Sequence, residues 1–344
     1  MKSILAFFLI NIFSIFSLFC QPEQGEGVNR NYYRAAFWNI ENYFDSFTDS
    51  TSNYTEFNYD GDRHWNYNKY ESKRTAIYKT IIAMGEWQPL SILGLAEIEN
   101  EFVLRDLLAN TPLKSMGYRI VHYESDDNRG IDVGLLYHPN QFEVLFSKKM
   151  IIRDEENPDF RTRDILYVKG LLGGDTMHVF INHWPSRYRG YLNSEPLRLL
   201  ASGVLKNATD SICLLNPEAA ILIMGDFNDR AENESVRRLS NEDFSCQLFL
   251  LSLNCSNKEV KGTIKYQGKW DYFDHILVSK KLLEFKSGLV MKKESATIFA
   301  PDFLLEKDEK FAGIKPKRAF IGFKYNGGIS DHLPVYVDFI HSGN

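Results

Sequence analysis

Apolar and polar positions fall in blocks along this chain, and four blocks share one order. "RAAFWNIEN" is an apolar run that ends on Asn39 and Glu41. "PLSILGLAEIEN" ends on Glu97, with Glu99 two residues on. "MHVFINHWPSR" delivers Asn182 and His183, and "AAILIMGDFND" delivers Asp226 and Asn228. Uninterrupted apolar runs of this length predict strands covered on both faces. Two later blocks reverse the order. "DYFDHILVS" puts Asp274 and His275 before its apolar run, and "GGISDHLPVYVDF" does the same with Asp331 and His332. If all these polar groups meet at one edge, the last two strands run against the first four. That predicts mixed sheets.

Helical spacing fills the gaps. "KYESKRTAIYKTIIAMGEW" places Ile77, Ile81, Ile82 and Met84 on an amphipathic helix. "NSEPLRLLASGVLKNATDSICLL" opens on a capping Asn or Ser and has Pro196 early, both marks of a helix start. Residues 45–68 and 294–328 read as long surface loops flanking the polar strand ends.

The strand tips carry the candidate chemistry. In an extended chain Asp226 and Asn228 point the same way; the competing reading is an Asx turn that ends the strand. A calcium loop is excluded, because Ala231 and Arg237 stand where such a loop needs Gly and Glu. Glu97 continues an apolar strand, so its carboxylate requires a partner, and a divalent cation would serve. His183 reads as a structural histidine or a site group, and Arg187 as a surface or phosphate-binding cation. The six tips together offer carboxylates, amides and imidazoles, with no Gly-rich phosphate loop and no CxxC. Such a set suits Mg²⁺ or Mn²⁺, leaves the histidines for acid–base work, and equips metal-assisted attack of water on a phosphoester.

Composition adds an address and narrows how an anionic partner could be held. Residues 1–20 hold an apolar run behind Lys2, and residues 21–30 are polar, so the pair reads as a signal peptide and linker ahead of a single domain over 31–341. The protein is expected to be exported: secreted, periplasmic or anchored at the cell surface. Cys20 stands where a bacterial lipoprotein carries its lipid, with Phe19 replacing the usual small residue before it. Export permits disulfides. Cys246 and Cys255 are close enough in sequence to bridge across a loop, a pairing the sequence leaves open, and Cys213 reads as a buried thiol. The net charge is −5, so nucleic-acid binding would rest on local cations, not on the overall field. "SRYRGYLN" mixes Tyr188, Arg189 and Tyr191 and is one such local site.

"WNIEN", "GLAEIEN", "INHWPSR", "IMGDFND", "FDHILVS" and "SDHLPV" occur in the order found in the endonuclease/exonuclease/phosphatase superfamily. The chain resembles that group over about residues 31–340, and looks most like its secreted bacterial nuclease-type members through "RGIDVGLLY", "NHWPSR" and "GKWDYFDHILVS". The resemblance implies a four-layer α/β/β/α sandwich of two packed mixed sheets with outer helices. It implies Glu97 as principal metal ligand with Asn39, and Glu41 and Asp331 as further ligands. His332 would be the general base, oriented by Asp274 in preference to Asp271. Asp226 and Asn228 would position water and phosphate, and His183 would donate to a phosphate oxygen. Asp132 would orient His183, with Arg129 and Arg187 near phosphate. The ion would be Mg²⁺, with Mn²⁺ and Ca²⁺ as alternatives. The expected activity is that of a secreted, monomeric endonuclease on DNA or RNA with no stable protein partner. The alternative is a phosphatase or phospholipase C-type hydrolase on the same scaffold, and a third class is a non-catalytic binding module.

Overall fold

The computed structural model describes residues 32–47, 56–86, 88–188, 190–240, 246–284 and 288–342. The leader, the linker, Cys20 and Arg189 lie outside the described residues. In chain order the first half is β1 (Tyr32–Tyr43), α1 (Tyr67–Gly85), β2 (Ile92–Ile98), α2 (Glu101–Ala109), β3 (Arg119–His122), β4 (Asp132–Tyr137), β5 (Phe142–Met150), β6 (Ile165–Leu172) and β7 (Asp175–His183). Then come α3 (Tyr191–Leu215), β8 (Ala220–Asp226), α4 (Glu234–Arg237), β9 (Leu248–Leu250), β10 (Ile264–Tyr266), β11 (Lys269–Asp271), β12 (Asp274–Ser279) and α5 (Lys280–Glu284). The chain continues through β13 (Gly288–Met291), β14 (Thr297–Ile298), β15 (Leu305–Lys307), β16 (Ile314–Pro316), β17 (Phe320–Ile321), β18 (Lys324–Tyr325) and β19 (Val335–Ser342).

Two mixed sheets form, flanked by helices. One runs β13-β19-β1-β2-β4-β3, with β14 also on β19; the other runs β5-β6-β7-β8-β12-β9. β1 and β2 are parallel and β19 is antiparallel to β1. β7 and β8 are parallel and β12 is antiparallel to β8. The expected reversal of the last two strands therefore occurs once in each sheet.

Side-chain alternation explains the unbroken apolar runs. In β8, Leu222 and Met224 join the core between the sheets, while Ile221 and Ile223 join a second cluster with Ala201 and Leu205 of α3. In β12, Ile276 and Val278 face inward and Leu277 outward. The two sheets approach closely where β2 meets β7: a Cβ added to Gly94 would sit 2.6 Å from Cδ1 of Ile181.

Three expectations are corrected. Cys213 pairs with Cys246, across a Cα–Cα distance of 5.4 Å, and Cys255 is the free cysteine among the described residues. Cys213 and Cys246 are both in the cluster beneath α3, whereas Cys255 packs on the inter-sheet core, so proximity in sequence misled. The helix α3 begins two residues earlier than its Asn/Ser signal, after Gly190 and without a side-chain cap; the Ser194 hydroxyl instead donates back to the Gly190 carbonyl. Residues 294–328 are not a plain loop but carry two short strand pairs, β15–β16 and β17–β18. Cys246→Ser is expected to lower the free energy of unfolding by about 3 kcal/mol. An unchanged urea midpoint under oxidising conditions would count against the bridge.

Candidate active site

The inward parity of the second sheet carries past its apolar residues. Asp226 continues the Leu222–Met224 face of β8, Asp274 precedes the Ile276–Val278 face of β12, and His183 follows Met177, Val179 and Ile181 of β7. The register pairs Asp274 with Asp226 and His183 with Asp226. Gly225 allows that approach, since a Cβ there would lie 2.5 Å from the Asn182 backbone.

The first sheet delivers its groups by breaking parity. Gly94 faces the second sheet, yet Ile98, four residues on, packs with Leu104 over Gly134. A bulge between Ala96 and Ile98 separates them, and Glu97 takes a left-handed φ of +61°. The bulge turns its carboxylate toward the other sheet. A second irregularity lies in β1 between Asn39 and Tyr43, with Glu41 and Asn42 also at positive φ. With Asn228, four of the nine described non-glycine residues at positive φ surround this one place, the clustering expected of strain held at a functional site.

His332 is the hub. Its Nδ1 lies 2.8 Å from Oδ2 of Asp274, and its Nε2 is 3.6 Å from Oδ2 of Asp226. Burial alone would lower the imidazole pKa; the charges of Asp274 and Asp226 outweigh it and hold it well above the ordinary value. Burial pushes Asp226 up, His332 opposes and Asp274 adds, leaving it at about 7. Asp226 also accepts from Nδ2 of Asn39 at 3.0 Å. His183 turns Nε2 toward Asp226 (3.7 Å) and Glu97 (3.9 Å). Burial first, and Arg163 second, keep it neutral at physiological pH. Its Nδ1 is buried with no hydrogen-bond partner among the described residues.

Glu97 accepts from the Asn42 amide (2.9 Å), Arg129 (3.1 Å) and Nδ2 of Asn39 (3.4 Å). Burial would raise its pKa, but Arg129, His183 and His332 hold it well below the usual carboxylate range. Glu41 and Asp331 share Arg318, whose guanidinium lies 2.6 Å from one and 3.1 Å from the other. Buried Lys73 donates to the Glu41 carbonyl, and burial brings its pKa down to about 8. Burial and then Asp331 raise Glu41 to about 6.

Several expected contacts are replaced by others. Asp132 does not reach His183; it holds His122 at 3.1 Å and the Ser125 amide at 2.8 Å, because the start of β4 turns it toward β3. Arg187 is not free for phosphate. It donates to the Asn228 carbonyl (2.7 Å) and to Asp229 (2.6 Å), so it braces the loop after β8. Asp226 and Asn228 are not two tips of one extended strand. The Asn228 amide donates to Oδ1 of Asp226 at 2.9 Å, an Asx turn, and its side chain donates to the Trp184 carbonyl. Asp271 pairs with Arg230, away from His332.

Sequence reasoning missed Arg318 and Lys73. Lys73 was detectable, since it lies four residues before Ile77 on the buried stripe of α1. Arg318 carried no local signal. Ser330 was also missed; its hydroxyl donates to the Asn39 carbonyl at 2.6 Å and accepts from the His332 amide at 3.0 Å, tying β1 to His332.

Among the described residues two groups of three bring ligand atoms within 4.8 Å of one another: Asp226–Asp274–His332 and His122–Glu124–Asp132. Glu97 belongs to neither. Two such clusters on a double-sheet sandwich are consistent with a metal-dependent phosphoesterase. The chain belongs to the Endonuclease/Exonuclease/phosphatase family, whose sequence model matches residues 34–341. No curated protein matches it. Among solved structures it is similar to the human Nocturnin catalytic domain with bound sulfate, at 17% identity over 91% of this chain and 96% of that one, TM-score 0.53. A mannosyl-6-phosphatase of Bacteroides thetaiotaomicron VPI-5482 is 13% identical over 90% of this chain and 99% of that one, TM-score 0.56. D. rerio TDP2 complexed with a single-strand DNA product is 16% identical over 90% and 98%, TM-score 0.51. At these identities the likeness is one of fold.

Proposed function

We propose that the protein is an exported endonuclease that hydrolyses DNA or RNA phosphodiesters with a divalent ion, most simply Mg²⁺, with Mn²⁺ and Ca²⁺ as alternatives. The observation that carries this reading is the buried His332–Asp274 pair, its Nε2 turned toward Asp226 beside Glu97. Neutral His332 takes a proton from water at Nε2, and Asp274 stabilises the resulting imidazolium from Nδ1. Asp226 holds the attacking water. Neutral His183 donates to a phosphoryl oxygen as charge develops. Arg187, through the Asn228 carbonyl, keeps the loop after β8 in place.

The donor set fits a hard cation through Glu97, which stays ionised; the Asn39 amide lies beside it with Nδ2 toward Glu97 and Oδ1 accepting from the Glu41 amide, so a 180° turn of that amide would present its oxygen to the ion. Glu97 with Asn39 would hold the ion, with Glu41 and Asp331 adjacent. When bound, it supplies Lewis acidity at the phosphoryl oxygen. We read the Asp226–Asp274–His332 group as a proton relay, because Nδ1 of His332 is already committed to Asp274. The Cys213–Cys246 bridge supports an oxidising compartment, hence export, secreted or lipid-anchored at Cys20. The nuclease-type resemblance and the single-strand DNA product bound by the structurally similar TDP2 support the substrate class.

The second reading is a phosphatase or phospholipase C-type hydrolase. Lys73, Arg129 and Arg318 crowd the Glu41–Glu97 side and would suit a doubly charged monoester, and a mannosyl-6-phosphatase shares the fold. Residues 21–344 are expected to nick supercoiled plasmid with Mg²⁺ and to stop with EDTA. Activity indifferent to EDTA would overturn the metal assignment. Cleavage of sphingomyelin or a sugar phosphate, with DNA and RNA untouched, would favour the second reading.

A further inference from the structure

Behind the loops that carry Asp226 and Asp274 lies a cleft of about 800 Å³ at the β9 edge of the second sheet. Half-buried Leu250, Leu251 and Leu253 line it together with the ring of Trp270. Tyr272, 39% exposed and the first residue past the end of β11, lines it as well. The Lys265 ammonium sits 6.0 Å from the Trp270 ring centroid and is itself paired with Asp308 at 3.0 Å, so the ring is braced.

The cleft adjoins the catalytic loops through covalent chain. Arg230, two residues past Asn228, pairs at 2.6 Å with Asp271, three residues before Asp274, and both line the cleft. His275, next to Asp274, also lines it and is anchored by Nε2 on the Asp229 carbonyl at 2.8 Å. Arg230 is neutralised by Asp271 and by Glu232 at 3.9 Å. Lys261 and Lys269 are exposed, and neither ammonium is paired among the described residues. On a chain of net charge −5, two unpaired lysines over an apolar, aromatic surface form a local site for an anionic ligand with a flat apolar part.

We propose that this cleft is a nucleotide subsite flanking the scissile bond. A base of single-stranded nucleic acid packs against Trp270 and Tyr272, while Lys261 and Lys269 take neighbouring phosphates. The proposal rests on the nuclease reading and deepens it. Base–aromatic contact is tolerant of sequence, so the subsite would set strand form and length preference more than base identity.

The test compares the full mature protein with a Lys261→Gln/Lys269→Gln variant and with Tyr272→Ala. The substrates are single-stranded DNA and RNA oligonucleotides of about 12 nucleotides and bis(p-nitrophenyl) phosphate, too small to reach the cleft. Both variants are expected to raise KM for the oligonucleotide about tenfold and to leave hydrolysis of the small diester unchanged. The double lysine variant should also flatten the dependence of log KM on log salt by about 1.4, for two lost single-strand phosphate contacts. An unchanged KM and salt slope would overturn the subsite, as would equal losses on both substrates, which mark a structural role. If the unaltered protein hydrolyses the small diester but neither oligonucleotide, the nuclease reading fails and the subsite with it.

Discussion

His332→Ala is expected to lower kcat by about three orders of magnitude with the fold retained. The two backbone anchors of residue 332 do not involve its side chain. Its amide donates to Ser330 Oγ at 3.0 Å, and its carbonyl accepts from Trp38 Nε1 at 3.0 Å. What alanine removes is the imidazole between Asp274 and Asp226, the proposed proton acceptor. No neighbour substitutes: His183 has no carboxylate on Nδ1 and is held well below the ordinary imidazole pKa. Losing the shared counter-ion leaves two buried carboxylates face to face, so some thermal stability will also be lost, and Asp226 will take up a proton more readily. Turnover on plasmid under saturating Mg²⁺, with far-UV circular dichroism on the same sample, separates the two effects. Retention of more than about a tenth of the activity would remove His332 from the role of base.

Asp274→Asn should cost about 10³–10⁴-fold in kcat, since the amide no longer selects the tautomer that leaves Nε2 free. It should also move the pH profile, and the sign follows from the cause. Only neutral His332 can accept a proton, so activity rises as pH passes through its pKa. Burial pulls that pKa down while Asp274, the larger of the two flanking charges, and Asp226 pull it up, with a net rise. In the unaltered protein the acid limb of kcat/KM therefore lies above the ordinary imidazole value of about 6.5. Removing the Asp274 charge takes away the largest upward pull, so the limb shifts to lower pH in the variant. A limb that stays in place would show that another group governs it.

The strand ends were legible because each is an apolar run stopped by polar residues, and the reversed order in the last two segments predicted their direction. The contact of His332 with Asp274, not Asp271, also followed from reading those segments against the family pattern. Asp132 and Arg187 were misplaced because an ionisable residue beside a strand tip has several neighbours within reach. Asp132 found His122 on the adjacent strand, and Arg187 found the Asp229 carboxylate, which is fully buried and also held by Arg198 at 2.7 Å. The cysteine pairing failed for a related reason. Thirty-three residues separate Cys213 from Cys246 in the chain, and only the packing of α3 over the second sheet brings them together.

Local patterning thus determined the strands, their polarity and the chemical types at their ends, since alternation and run length are properties of neighbouring residues. Tertiary structure alone decided three things. A bulge at Glu97 inverted the face that alternation would assign, because one irregular residue resets the parity of a strand. Arg318, 277 residues from Glu41 in sequence, was brought to Glu41 and Asp331 by a segment with no periodic signal of its own. The protonation states of Asp226, His183 and His332 arose only from burial and from charges on other strands, interactions that depend on distance in space and leave no mark in the order of residues.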